Sequence, residues 1–455
     1  MEILVLVIFV VGYLFIALEH TFQIDKAASA LLTGTICWGL FVTGVHEVPA
    51  HLASEFEAFK EGLIGSSPQA LNYFLEHRLL HHMEDISSIL FFLLGAMTIV
   101  ELVDAHEGFS VITDRIKTTK KVRLIWILSV LTFFFSAVLD NLTTSIVMVS
   151  LLRKLIDDKE TRWLFAGVVI IAANAGGAWS PIGDITTTML WIGNQLTSDV
   201  IILNLFIPSL VCLLVPLGIL SVTLKGDVRR PDAIKDYKDP TTSGERKLVF
   251  AMGVAGLLFV PIFKTVTHLP PFMGMMLSLG MMWVVTEVIH RSKNHEERDH
   301  LSVIGVLRKI DSASVLFFLG ILLAVASLQE IGHLITAASW LRDTMSNVYA
   351  INVTIGFLSA IVDNVPLVAA SMGMYDLAPA ASEGWDGYFV QNGIFWQFLA
   401  YCAGTGGSAL IIGSAAGVAV MGLERIDFVW YLKKISLLAI AGYLAGAGTY
   451  WLMFH

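Results

Sequence analysis

The sequence predicts an all-α polytopic membrane protein built from two inverted-topology repeats, each with a re-entrant hairpin and a broken transmembrane helix. Three observations lead there. Only 15% of the 455 residues are charged and 56% are hydrophobic, with a mean hydropathy of +0.73, whereas a soluble chain carries about a quarter charged residues. Apolar runs such as Met1–Leu18, Val200–Leu220 and Trp430–Phe454 reach the length of about 18 residues that a helix needs to cross a bilayer. Three short motifs also recur in the same order in the two halves. A larger core cannot repair the missing charge, because its surface still has to be wetted. Soluble enzyme classes are excluded.

Candidate spans cover residues 1–18, 27–43, 86–103, 122–152, 162–193, 200–222, 248–266, 272–290, 312–329, 347–377, 393–422 and 428–453. The first is expected to be retained, since Met-Glu-Ile-Leu lacks a basic leader and no small-residue cleavage site follows. Residues 44–85 hold many Glu and the histidines His46, His51, His77, His81 and His82. They read as a solvated external loop that completes an N-terminal segment 1–85. Four spans, 122–152, 162–193, 347–377 and 393–422, are too long for one crossing and are interrupted by polar residues, Gly or Pro.

Basic residues mark the cytoplasmic side of a membrane protein. They crowd into 115–123, 153–162, 225–247 and 291–309, while 378–392 has Glu383 and Asp386 and no Lys or Arg. Segment 122–152 should therefore enter and leave on the cytoplasmic side, as a hairpin turning near Asp140. Segment 347–377 mirrors it from outside, turning near Asp363. With 162–193 crossing outward and 393–422 inward, both termini are expected to be external. The first repeat has its core at 86–222. A cytoplasmic linker at 223–247, with Pro231, Pro240 and the run Thr241-Thr242-Ser243-Gly244, separates it from the second repeat at 248–455.

The duplication can be read directly. Ile89-Leu90-Phe91-Phe92-Leu93 recurs as Val315-Leu316-Phe317-Phe318-Leu319, and Ser136-Ala137-Val138-Leu139-Asp140-Asn141 as Ser359-Ala360-Ile361-Val362-Asp363-Asn364. Gly176-Gly177 with Pro181-Ile182-Gly183 is echoed by Gly406-Gly407 with Ile411-Ile412-Gly413. The offsets are 226, 223 and 230 residues. Near-constant spacing with opposite topology is the plan of secondary transporters.

The chemistry sits at the repeated motifs. Asp140-Asn141, followed by Thr143 and Thr144, and Asp363-Asn364, followed by Pro366, each fall at a hairpin tip. A charge in hydrocarbon costs at least about 2.5 kcal/mol, so such residues face a cavity or a partner. Asp and Asn are also good helix N-caps, and capping can coexist with function. The stretch from Asn174 to Thr188 contains Gly176, Gly177, Pro181 and Gly183, then Asp184 and the hydroxyls of Thr186, Thr187 and Thr188. Its counterpart keeps Thr405 and Ser408 beside the glycines but has Ser414 where Asp184 stands. Glycines there could serve close helix packing alone, but packing does not account for Asp184. Carboxylate, amide, hydroxyl and bared backbone carbonyl, without thiolate or histidine, form a set suited to a hard cation. Buried neighbouring carboxylates hold protons more tightly, so a metal cation and H⁺ compete there and no cofactor is needed.

Other groups weigh less. Glu101, Asp104 and Glu287 sit near the ends of their spans and read as interfacial, and Cys37, Cys212 and Cys402 as buried thiols without CxxC spacing. A net charge of −9 argues against nucleic acid, which needs a dense basic patch.

At Asp140-Asn141-Leu142-Thr143-Thr144, Asn174 to Thr188, Asp363-Asn364-Val365-Pro366 and Gly404 to Ser408, the chain resembles the NhaD-type sodium/proton antiporters of the ion transporter superfamily. The resemblance covers nearly everything from about residue 86 onward. It implies Na⁺ and Li⁺ efflux against inward H⁺ in a bacterial inner membrane, by a homodimer with scaffold and transport domains. The family's ion-site residues carry over onto Asp140, Asn141, Asn174, Asp184, Thr186, Thr187, Asp363 and Asn364, with Thr405 and Ser408 in the more variable second stretch. The three aspartates are the expected Na⁺ ligands. A carrier of carboxylates or arsenite on the same fold is the main alternative. Superfamily members handling carboxylates typically show Ser-Asn-Thr at the tips, and the Asp found here repels an anion. An intramembrane aspartyl protease would want Gly-x-Gly-Asp before Asp184, but residue 181 is Pro. A passive channel fits titratable ligands on paired half-helices less well than alternating access does.

Overall fold

The computed structural model describes residues 2–17, 19–45, 47–61, 70–113, 115–231, 241–293 and 299–455. Among them, extended pairing is confined to two isolated bridges, Lys120 with Asp227 and Ala378 with Val390. Short turns aside, the helices run α1 (Glu2–Ala17), α2 (Lys26–Gly44), α3 (Ala53–Glu61), α4 (Ala70–Ala105), α5 (Lys121–Leu139), α6 (Asn141–Leu155) and α7 (Lys159–Gly177). Then follow α8 (Ile185–Ile192), α9 (Ser198–Thr223), α10 (Ser243–Thr267), α11 (Pro271–Ile289), α12 (Ser312–Ile331) and α13 (His333–Met345). The series ends with α14 (Val348–Leu358), α15 (Asn364–Met374), α16 (Ile394–Gly406), α17 (Ala415–Glu424), α18 (Phe428–Lys434) and α19 (Ser436–Phe454). Eight of the described helices, α2, α4, α5, α9, α10, α11, α12 and α19, are long and apolar enough to cross a membrane.

One expectation is corrected. Residues 70–85 are not loop but the first half of the 36-residue α4, and α3 is helical as well. Glu and His lower hydropathy without preventing a helix, so hydropathy alone missed them. His51, His77 and His81 are exposed; His46 and residues 62–69 and 232–240 lie outside the described residues.

The chain forms two compact units. The first comprises residues 1–90, 311–347 and 365–376. Its centre is the crossing of α2 and α12, where a Cβ on Gly34 would strike the Gly320 carbonyl and one on Gly320 the backbone of Ala30 and Leu31. Small residues allow this approach in lipid, where packing rather than hydrophobicity drives association. Trp38 Nε1 donates to the Leu323 carbonyl at 2.8 Å, above an apolar cluster of Trp38, Phe41, Leu75 and Ala326. Glu330 is enclosed there. Its carboxylate accepts from Arg78 Nη2 at 2.6 Å and lies 2.7 Å from His82 Nε2, while Arg78 Nη1 reaches Glu55 at 2.6 Å. A buried acid needs such partners, so His82 belongs to this ion-pair network and not to a solvated loop.

The second unit comprises residues 91–310, 348–364 and 377–455. Between α5 and α6, Asp140 takes φ 84° and ψ 159°, a region that is essentially glycine-only and costs about 1–3 kcal/mol. Beyond it α7 stops at Gly177, and the chain resumes as α8 only at Ile185. The same arrangement recurs between α16 and α17. Ser136 Oγ donates to Ala173 O at 2.5 Å, and Ser359 Oγ to Ala403 O at 2.9 Å. A Cβ on Gly183 would come within 3.0 Å of the Ala137 Cα, and one on Gly413 within 2.7 Å of the Ala360 Cα. Gly177 packs on Gly183, and Gly407 on Gly413. Asp184 and Ser414 cap the helices that follow with nearly equal dihedral angles, φ −145° and −144°. These pairs keep the offsets of 223 and 230 residues found in the sequence.

Two further features of this unit concern charge. Lys264 Nζ donates to the Trp191 carbonyl at 2.7 Å and lies 4.7 Å from the centre of the Trp191 ring. In the turns beyond α4 and α11, the Nε2 atoms of His106 and His290 are 2.7 Å apart, and His106 Nδ1 is 2.6 Å from Leu102 O. A carbonyl only accepts, so His106 Nδ1 carries a proton. In the neutral pair, His290 Nε2–H then donates to His106 Nε2, and His290 Nδ1 is left buried without a partner.

Two outcomes are expected. Asp140→Gly relieves the backbone and should raise the unfolding temperature of the purified protein, by the equivalent of about 1 kcal/mol or more. Burial pushes His290 down to about 4 and lowers His106 too, against about 6.5 in an unfolded chain. The neutral pair therefore contributes its stability above about pH 6.5 and loses it as pH falls toward about 4. Thermal unfolding scanned across that window should show the loss in the native protein and a shallower slope in His290→Phe.

Candidate functional site

The second unit brings most of the sequence-selected polar residues to one place. Asn174, in the last turn of α7, is fully buried. Its Nδ2 donates to Ser408 Oγ at 2.9 Å and to Ser414 Oγ at 3.0 Å, and its Oδ1 accepts from Asn141 Nδ2 at 3.1 Å. Asn141 Nδ2 also donates to Asp184 Oδ2 at 2.8 Å, and Asn364 Nδ2 approaches the same oxygen at 3.5 Å. Asp184 is 2% exposed. Its other oxygen, Oδ1, accepts from Thr186 N at 3.0 Å and Thr186 Oγ1 at 2.9 Å. As N-cap of α8 it faces the positive end of that helix.

Asp140 is the N-cap of α6. It accepts from Thr143 N and Thr143 Oγ1, both at 2.8 Å. Capping is thus the local role of both Asp140 and Asp184, but only Asp184 also accepts from side chains of other segments, Asn141 and Asn364. Asp140 and Asp363 are half-buried, and both carboxylates act electrostatically on Asp184. A Cβ on Gly404 would lie 3.6 Å from Asp184 Oδ2, so a glycine keeps space open beside the acid.

Other expected residues do different work. Thr187 Oγ1 donates to the carbonyls of Ser180 and Asp184 at 2.7 and 2.8 Å, and Thr188 Oγ1 to those of Pro181 and Asp184 at 3.0 and 2.9 Å. They shape the break. Thr405 Oγ1 donates back to Tyr401 O at 2.6 Å. The Thr144 hydroxyl, one turn beyond Asn141 on α6, is buried without a hydrogen-bond partner, as is that of Ser145. Ser414 is not among the expected ligands, yet its hydroxyl accepts from the Asn174 amide and caps α17 by accepting from Gly417 N at 3.2 Å. Its equivalence to Asp184 was the available signal. Among the described residues, no group of three or more His, Cys, Asp or Glu side chains could hold a metal ion. What the site offers is one deeply buried carboxylate, two more within electrostatic reach, amides and hydroxyls.

A multi-pass helical protein with interrupted helices around buried acids is a membrane transporter in form, and sequence comparison agrees. The citrate transporter family model matches residues 3–389. Sodium/proton antiporter 2 of Arabidopsis thaliana is 45% identical over 447 residues, 97% of each chain. Sodium/proton antiporter 1 of the same plant is 51% identical over 370 residues, 81% of this chain, which spans 62% of that relative's length. The Na(+)/H(+) antiporter NhaD of Vibrio cholerae is 30% identical over 482 residues, 99% of this chain and 91% of that one. The chain belongs to the NhaD-type sodium/proton antiporter family of the ion transporter superfamily, a family of transporters and not of enzymes.

Asn174→Ala removes the amide donor to Ser408 and Ser414 and the acceptor for Asn141, and should lower the stability of the purified protein by about 1–3 kcal/mol, read as a fall in unfolding temperature. Thr144→Ala removes a hydroxyl that satisfies nothing, and by the same measurement should be neutral or stabilising.

Proposed function

We propose that this protein exchanges Na⁺, and Li⁺ in its place, for H⁺, by competition of cation and protons for Asp184, Asp140 and Asp363 under alternating access. The observation that carries the reading is the Asp184 carboxylate, held by amides from both halves of the chain, Asn141 at 2.8 Å and Asn364 at 3.5 Å. Each asparagine can turn its amide to present oxygen in place of N–H. The same shell therefore suits a free or protonated acid and an acid with a bound cation. Asn141, Asn174, Thr186, Ser408 and Ser414 complete the inner shell. Thr143 sets Asp140, while Thr187 and Thr405 act through the backbone, and Thr144 turns an unused hydroxyl toward an ion.

The finer architecture belongs to the same proposal. Residues 122–152 and 347–377 form re-entrant hairpins, 162–193 and 393–422 broken helices, and the two repeats are inverted, with both termini external. The matched glycine, serine and capping contacts at offsets of 223 and 230 residues support the duplication. The alternation of basic and acidic loops supports the inversion. A homodimer in a bacterial inner membrane follows from the resemblance; the relatives at 51% and 45% identity are plant proteins, so a plant membrane suits the same reading.

The family model's description as a citrate transporter makes carboxylate transport the second reading. A tri-anion would have to enter beside a buried Asp184 with Asp140 and Asp363 close by, which Coulomb repulsion opposes. The test is acridine-orange dequenching in everted vesicles, with Na⁺, Li⁺, K⁺, citrate and arsenite added in turn. Na⁺ and Li⁺ should give the signal and citrate and arsenite none. Asp184→Asn, Asp140→Asn and Asp363→Asn should each abolish it at normal expression, and robust exchange by Asp184→Asn would refute the reading.

A further inference from the structure

At the end of α17 remote from the break, the Glu424 side chain is only 1% exposed and is gripped by two arginines. Arg153 Nε donates to Oε1 and Arg162 Nε to Oε2, both at 2.6 Å. Arg153 also donates to the Leu423 carbonyl, and Trp163 Nε1 to the Glu424 carbonyl at 3.0 Å. Arg153 lies in the last turn of α6, and Arg162 and Trp163 at the start of α7. None of these groups reaches the ion site, and the proposed exchange does not use them.

The equivalent junction in the other half is held by different chemistry. The 230-residue offset pairs Glu424 with Asn194 and Arg162 with Asn392. There the Asn194 carbonyl accepts from Gln391 Nε2 at 2.9 Å, and Asn392 N donates to Gln195 O at 2.8 Å. Asn392 Oδ1 accepts from Thr197 N at 2.8 Å and from Thr197 Oγ1 at 3.1 Å. The contacts between these two segments are neutral amides and hydroxyls, with Lys264 Nζ beside them at 3.4 Å from Asn194 Oδ1, whereas the first junction is closed by a carboxylate between two guanidinium groups.

The ion pairs join the far ends of helices whose near ends build the site. Helix α6 begins at Asp140-Asn141 and α17 at Ser414, and both beginnings meet Asn174. The two helices pack together and run the same way, so their far ends meet at Arg153 and Glu424. We infer that Glu424 is a positioning residue. With Arg153 and Arg162 it pins the ends of α6, α7 and α17, and so fixes the spacing of Asn141, Asn174 and Ser414 around Asp184, about 15 Å away along the ten residues of α17. Neutralising Glu424 leaves two guanidinium groups against a partner that no longer attracts them. A buried pair broken from one side repels its remaining members outward, and rigid helices carry that movement to their other ends.

The inference rests on the proposed ion site, and the experiment separates the two. Purified Glu424→Gln, Arg162→Gln and the double variant are reconstituted, and ²²Na⁺ binding, Na⁺-driven H⁺ exchange and unfolding temperature are measured. Apparent Na⁺ affinity should weaken about tenfold, with the maximal rate changed by about twofold or less. The double variant should be no worse than the poorer single one, because both lose the same interaction. Unchanged affinity with a lower rate and lower unfolding temperature would make Glu424 a mere brace and overturn the inference. Should Glu424→Gln not fold, Arg162→Gln and Glu424→Asp carry the same comparison. Asp184→Asn is the control. If it still binds Na⁺, the site reading fails; if it loses binding while Glu424→Gln keeps native affinity, only the positioning role fails.

Discussion

The structure of the second unit depends on keeping one carboxylate, Asp184, in a place almost without water. An isolated charge there is untenable, so the surroundings are built as a substitute for hydration. The start of α8 supplies an aligned dipole, Thr186 an N–H and a hydroxyl, and Asn141 and Asn364 amide groups. None of these donors could converge on an unbroken helix. The interruption requires backbone laid on backbone, and that is why Gly176, Gly177 and Gly183 stand where they do: a Cβ at any of them would enter a neighbouring main chain. The break serves the acid, and the glycines serve the break.

Much of this could be read from the sequence, for a physical reason. A glycine that permits close approach and an acid inside an apolar run are both local exceptions to a simple pattern, and exceptions stand out. The helical class and the interrupted segments near Asp140, Asp184, Asp363 and Gly406 were visible in this way, while the resemblance to a known family joined Asn141, Asn174, Asp184 and Asn364 into one site. What stayed hidden depended on partners. The first half of α4 looked like a loop because Glu and His masked it, and His82 finds its purpose only against Arg78 and Glu330. Arg153 and Arg162 looked like two more basic loop residues until Glu424 was placed between them. Thr187 and Thr188 were legible as hydroxyls but not as hydroxyls turned back onto the chain.

The two halves share a scaffold but not its load. Asp140 sits in a backbone region reserved for glycine, whereas Asp363 is not among the residues with positive φ. Asp184 is matched by Ser414, and the ionic junction at Glu424 by neutral contacts around Asn392. On the proposed duplication, matched geometry with divergent charge lets one common core be loaded differently in each half.

The eight residues of α8 carry a formal anion at their first end, Asp184, and at their last a cation borrowed from α10, Lys264, seated on the Trp191 carbonyl and ring. Both complement the helix macrodipole, and while both are ionised the assembly carries no net charge. Once Asp184 is neutralised, only Lys264 remains, and the assembly becomes monovalent. Under the proposed alternating access, a transmembrane potential acts on that uncompensated charge by up to about 2.3 kcal/mol per 100 mV. In that reading, loading at one end of a short helix changes how strongly the membrane voltage grips it.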